Sequence, residues 1–162
     1  MNDQVRSVLL GTAGLSALAT IALVLTVSRA PRDAALPAWH RLRRTAAFAI
    51  AVHLVHFMEE WYAGFHVRFP EMLGLVAWPA TMFALFNAAW IAVWIVCAVL
   101  LPSGRRSIWF PVWFLALASA VNGVAHPLLS IAAGSYFPGL VTAPLAGIAG
   151  VVLWRALVRS SR

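Results

Sequence analysis

The sequence predicts an all-α integral membrane bundle of five transmembrane helices, with the N-terminus outside and the C-terminus cytoplasmic. Three observations carry that prediction. Of the 162 residues, 62% are hydrophobic and only 10% charged, where a soluble domain carries about 25% charged side chains. Apolar runs close to the ~20 residues that a bilayer requires recur along the chain. The twelve basic residues, all arginine, cluster in alternate connections, which is how a multi-pass chain marks its cytoplasmic side.

The first span covers residues 7–28. It is longer than a signal-peptide core of roughly 7–15 residues. Only Arg6 precedes it, whereas Arg29, Arg32, Arg41, Arg43 and Arg44 follow, so it reads as an uncleaved span that delivers the next loop to the cytoplasm. Gly11, Ala13, Gly14, Ala17 and Ala22 suit close helix packing, and this span is scaffold. Pro31 and Pro37 break the chain before the second span, 45–65. Pro70 and Gly74 separate it from the third, 78–101, and Pro102, Ser103 and Gly104 lead to the fourth, 108–131. Residues 134–139 then turn into the fifth, 140–158. Spans this closely spaced leave no second core, so residues 1–162 form a single transmembrane domain. Cys97, the one cysteine, falls inside a span as a small apolar side chain.

Ten of the twelve arginines lie in the first loop, the third loop and the C-terminal tail, and Arg6 and Arg68 are the exceptions. A net charge of +7 distributed this way is a topology signal and not a nucleic-acid surface. The expected partners are membrane lipid and a lipophilic small molecule; no nucleic acid is expected, and the oligomeric state is open. Trp39, Trp61, Trp78, Trp109 and Trp154 fall near span ends, as interfacial aromatics do.

The second span carries what a bilayer makes expensive. His53, His56, Glu59 and Glu60 sit within an apolar run, and ionisable groups at that depth cost about 2.5–3.5 kcal/mol each on insertion scales. At 100° per residue, His53, His56 and Glu60 fall within roughly 60° of one another, with Glu59 about 60° beyond His56. The second span runs outward, which puts Glu60 about 8 Å below its outer end; the third runs inward and puts Asn87 about 13 Å down. In the outer half of the fourth span Asn122 and His126 share a face one turn apart, and Pro127 predicts a kink by removing a backbone donor and crowding Gly123. Trp90, Trp94 and Phe86 offer aromatic faces from the third span, and Tyr136 a hydroxyl from the outer turn. A polar cluster that only locks helices together is the competing account of these residues.

His56-x-x-Glu59-Glu60, Asn122-x-x-x-His126-Pro127 and the turn Tyr136-Phe137-Pro138-Gly139 resemble, from the second span to the fifth, the HXXEE family of bacterial membrane proteins. That resemblance implies a multi-pass protein of the bacterial cytoplasmic membrane and leaves the activity open. In architecture alone the chain is similar to five-span isomerases of the emopamil-binding type and to small membrane terpene cyclases. That likeness implies intramembrane His, Glu and Asn groups that protonate an alkene or epoxide.

The leading expectation is an intramembrane enzyme working by acid–base chemistry on an isoprenoid- or polyketide-like substrate, by isomerisation, cyclisation or epoxide opening. Two adjacent carboxyl groups in a dry cavity can supply an acid and a base. Glu60 would be the acid and Glu59 its partner, with His56 and His126 relaying protons. Asn122 and Asn87 would orient the substrate, Trp90, Trp94 and Phe86 would steady positive charge, and the turn at 134–139 would lid the cavity, with Tyr136 as a donor to the substrate. The acid–base reading needs no cofactor. The alternative is a metal enzyme, in which His53, His56, Glu60 and His126 hold zinc or iron with Glu59 as base. A proton or ion pathway would use the same residue types, although polar groups are scarce in the cytoplasmic half of the spans. An accessory subunit of a membrane complex is the remaining possibility.

Overall fold

The computed structural model describes residues 2–29 and 36–161. Among these the chain forms seven α-helices and no strand: α1 (Asp3–Gly11), α2 (Ala13–Ser28), α3 (Leu36–Tyr62), α4 (Phe65–Met72), α5 (Ala80–Leu100), α6 (Arg106–Ala133) and α7 (Ala143–Arg159). Two stretches, Ala80–Ser103 and Arg106–Ala133, are long and apolar enough to cross a membrane, and α1 with α2 makes a third if that bent pair is one span. The other two predicted spans correspond to α3 and α7. α3 carries Arg41, Arg43 and Arg44 near one end and the His/Glu cluster near the other, and α7 is only 17 residues long.

The boundaries shift for identifiable reasons. The first predicted span bends by 45° between α1 and α2, where the Thr12 hydroxyl donates to the Val8 carbonyl. Gly11 lets the Trp78 ring lie directly against the backbone there. Pro37, expected to break the chain, falls in the first turn of α3, where a missing N–H costs nothing; Pro31 and Arg32 lie outside the described residues. The second connection contains a helix the sequence reading left as loop, α4, entered through Gly64 at φ 76°. α6 runs as one helix through both Pro111 and Pro127.

α6 is the central post. Trp109, Val112, Trp113, Leu115, Ala116 and Ser119 are buried along it. α7 packs on it through small residues: Gly123 lies against Gly147, and a Cβ on Gly150 would collide with the backbone of Ala120. Such contacts suit lipid, where dispersion between close backbones holds helices together. The outward surfaces stay apolar, with Val24, Val27, Leu85, Val96, Val124, Ile131 and Ile148 all exposed. Trp78, Trp39 and Trp109, expected at the interface, are buried instead; Trp78 donates its indole N–H to Ser7 at 3.1 Å.

The two ends of the bundle differ. At one end the C-terminal half of α3 meets the 134–142 loop, and the start of α1 bonds to Val76 and Ala77 through Ser7 and Gln4. At the other, Arg106 donates to the Val27 carbonyl at 3.5 Å. The polar cluster belongs to the first of these ends.

Candidate functional site

The site begins with one turn of α3. His56 and Glu60 are an i,i+4 pair and therefore share a face. Glu59 projects to the other side of His56. The 134–142 loop completes the site from the far side of the chain. After α6 ends at Gly134 in the left-handed conformation, the Ser130 hydroxyl accepts the Phe137 N–H at 2.9 Å and folds the loop back over the helix end. Phe137 and Pro138 are buried there. Gly139, at φ 90°, passes so close that a Cβ would come within 2.5 Å of the His126 ring and 2.9 Å of the His56 ring. Only glycine fits this position.

Glu59 fastens that loop. Its carboxylate accepts four hydrogen bonds: from the Tyr136 hydroxyl at 2.8 Å, the Val141 N–H at 2.9 Å, the Thr142 N–H at 2.8 Å and the Thr142 hydroxyl at 2.6 Å. Thr142 is the N-cap of α7, so the negative charge sits where unpaired N–H groups and the helix dipole favour it. Tyr136 lies at the rim; partial burial, and then the Glu59 carboxylate, push its phenol above the ordinary tyrosine range.

The hydrogen-bond network assigns the imidazole tautomers. Thr142 has one hydroxyl proton, and it goes to Glu59. Its oxygen can therefore only accept from His56 Nδ1, 2.7 Å away, so Nδ1 carries the hydrogen and Nε2 a lone pair. His126 Nδ1 faces the Pro138 carbonyl at 2.6 Å. A carbonyl cannot donate, so His126 Nδ1 carries a hydrogen and its Nε2 is the ring nitrogen turned toward Glu60.

Both Nε2 atoms face one carboxyl oxygen. Glu60 Oε1 lies 3.6 Å from His56 Nε2 and 3.3 Å from His126 Nε2. The three potential ligand atoms are all within 4.8 Å of one another. His56 is 0%, His126 2% and Glu60 7% exposed, and His56 Nε2 has no hydrogen-bond partner among the described residues. Phe65 and Phe137 flank His126, with ring centroids 5.6 and 6.4 Å away.

The other sequence-derived residues are placed as follows. His53 stands one turn deeper, its ring 6.1 Å from that of His56 and edge-on to Trp94. Its Nδ1 is 3.4 Å from Ser119 Oγ, so the structure brings together three of the four proposed metal ligands and leaves His53 beside them. Trp90 and Trp94 pack on Phe114. Phe86 is exposed, and Asn87 bonds back to the Phe83 carbonyl of its own helix. Asn122 is half-buried one turn from His126. His66 stacks on Trp61 and Phe83 from α4. Thr142, Gly139 and the Pro138 carbonyl were not singled out as site groups by sequence reasoning. The turn Phe137-Pro138-Gly139 was visible, but nothing local tells that its carbonyl meets an imidazole.

Residues 47–153, more than half of the chain, match the family model described as "Protein of unknown function with HXXEE motif". No curated protein and no solved structure matched the chain.

Proposed function

This chain belongs to the HXXEE family, whose function is unknown, and from its site we propose an intramembrane enzyme that acts on a lipophilic substrate at the His56–Glu60–His126 centre. The supporting observation is the convergence of His56 Nε2, His126 Nε2 and a Glu60 oxygen within 4.8 Å of one another, with His56 Nε2 lacking a hydrogen-bond partner among the described residues. A cluster kept only to lock helices would pair its donors with its acceptors, because an unmade buried hydrogen bond costs about 1–3 kcal/mol. This one instead brings two imidazole nitrogens and a carboxyl group to a common point. Such a point calls for a proton or another cation.

In the acid–base form of the proposal that cation is a proton. Glu60 delivers it to an alkene or epoxide oxygen, and His56 and His126 accept and return it, which supports isomerisation, cyclisation or epoxide opening of an isoprenoid- or polyketide-like molecule. Glu59 does not react; it fixes the His56 ring through Thr142. Phe65 and Phe137 are the aromatic faces nearest the centre and would steady developing positive charge. Asn122 and the outer hydroxyl of Tyr136 are available to orient substrate; Asn87, Trp90, Trp94 and Phe86 would contact only its more distant parts.

The proposal includes the membrane arrangement: a single domain of five crossings in the bacterial inner membrane, N-terminus outside. The bent α1–α2 pair, α3, α5, α6 and α7 supply the crossings. The segregation of ten arginines to one side and the exposed apolar helix faces support it. Reporter fusions to the two termini check the orientation.

The function test compares lipid extracts by mass spectrometry from cells expressing wild type, Glu60→Gln and an empty vector. A species that changes with wild type and reverts with Glu60→Gln, while that variant inserts and stays monodisperse in detergent, is the expected result. Identical extracts from wild type and a well-folded Glu60→Gln would sink the proposal.

A further inference from the structure

We infer that His56 Nε2, His126 Nε2 and a Glu60 carboxylate oxygen form a three-ligand site for a divalent first-row transition-metal ion, Zn²⁺ or Fe²⁺. The inference rests on the same centre being the functional site and names the cation it holds.

The distances favour a metal ion over a shared proton. A proton shared between imidazole and carboxylate draws N and O to about 2.7–2.9 Å. Here the separations from Glu60 Oε1 are 3.3 and 3.6 Å, and a contact of the longer kind is no hydrogen bond. Zinc bonds of about 2.0–2.2 Å to N and O place the ligand atoms of a tetrahedral ion about 3.3–3.6 Å apart. Two of the three edges fall in that interval, and the third, between the two imidazole nitrogens, lies within 4.8 Å.

The outer contacts agree. Metal-bound histidines ordinarily donate their second ring N–H to a carbonyl or to a carboxylate-linked group, which fixes the tautomer and aims the lone pair. Both do so here: His126 to the Pro138 carbonyl and His56 to Thr142, itself bonded to Glu59. The donor set suits a borderline ion such as zinc or iron better than calcium or magnesium, which take oxygen ligands. Three protein ligands leave a coordination position open, as catalytic sites do. A bound ion would supply Lewis acidity toward a substrate oxygen or acidify a bound water.

His56 and Glu60 lie on α3, whereas His126 lies on α6, so metal binding has a two-helix signature. The full-length protein, purified in detergent without chelators, is analysed for metal content, then stripped and titrated with Zn²⁺ and with Co²⁺. Wild type is expected to bind about one ion per chain and to give the visible bands of low-coordinate cobalt. His126→Ala and Glu60→Gln should each reduce binding to background. His53→Ala should retain it, and Thr142→Val should weaken it about 10–100-fold. Size-exclusion profiles and melting curves establish that each variant is folded, and the cobalt bands of the unmutated protein need no variant at all. Stripped wild type that takes up neither ion, or uptake unaffected in folded His126→Ala and Glu60→Gln, overturns the inference. If wild type takes up no metal yet Glu60→Gln still abolishes the lipid change, only the metal falls and acid–base catalysis remains. If metal is bound at these ligands but the lipid extracts never differ, the site stands and the enzymatic reading falls.

Discussion

Thr142→Val puts the tautomer argument to its hardest test, because it swaps a hydroxyl for a methyl of nearly the same shape. The hydroxyl donates to Glu59 Oε2 at 2.6 Å and faces His56 Nδ1 at 2.7 Å. Its removal strands a buried imidazole N–H, at about 1–3 kcal/mol, and deletes one of the four bonds to Glu59, at about 1 kcal/mol more. Glu59 keeps the Tyr136 hydroxyl and two backbone N–H donors, so the α7 start should remain attached. The expected loss is about 2–4 kcal/mol of unfolding free energy, measured by equilibrium unfolding in mixed micelles. Thr142→Ser, which retains the hydroxyl, should lose about 1 kcal/mol or less. Nitrogen chemical shifts of labelled histidine give the second readout: His56 should be the Nδ1–H tautomer in wild type and in the serine variant, and should shift toward Nε2–H in the valine variant. A wild-type His56 already in the Nε2–H form, or a valine variant as stable as the serine one, would refute the reasoning.

Three further outcomes follow from the same geometry. Gly139→Ala should destabilise the protein by at least the ~1–2 kcal/mol of a left-handed non-glycine residue, and more because its Cβ meets both site imidazoles; a melting curve checks this, and unchanged stability would mean the loop does not sit against the rings. Gly150→Val should be among the most damaging changes outside the site, since even a Cβ collides with the Ala120 backbone; overpacking of this kind costs roughly 1–3 kcal/mol or more, seen as loss of folded yield. Tyr136→Phe should cost about 1 kcal/mol or less, because the bond it removes lies at the exposed rim. Because the Tyr136 phenol titrates above its ordinary range, its contribution is intact below the unfolded tyrosine value near pH 10. It is lost only as pH rises through the still higher folded value, so ultraviolet titration of the Phe variant should lack a late-titrating tyrosine.

Much of this molecule is legible in the chain because lipid restricts the choices. The apolar runs at 78–101 and 108–131 recur as α5 and α6 within two residues at each end, since nothing but a helix satisfies their backbone at that depth. The His56/Glu60 pairing follows from helical periodicity alone. What sequence reasoning missed depends on tertiary contact. Nothing local marks Trp78 as a ring that packs on Gly11 and bonds Ser7; tryptophan near a span end reads as interfacial until another helix covers it. Pro127, expected to kink the span, lies inside α6, which continues past it to Ala133. Thr142 carried no signal because it falls inside the predicted fifth span, 140–158, whereas the helix begins at Ala143 and leaves Thr142 at its N-cap, free to face α3.

The spacing of the motif explains why the two glutamates part company. Relative to His56, a residue three positions on lies about 60° to one side of a helix and a residue four positions on about 40° to the other. Glu60 is thereby turned toward His126 on α6, and Glu59 toward the N-terminus of α7. One acidic group faces the centre with no hydrogen-bond donor among the described residues, while the other is saturated by four. Exchanging their roles would require turning α3 by about 100°. The histidine between them is reached from both sides: Glu59 acts on its Nδ1 through Thr142, and Glu60 faces its Nε2. Three positions on one turn of helix thus specify a ring, the tautomer of that ring and the acid it faces. It follows that Glu59→Gln and Glu60→Gln, chemically identical changes one residue apart, should fail in different ways: the first by loosening the loop and blurring the tautomer, the second by removing the acidic group from the centre while the fold persists.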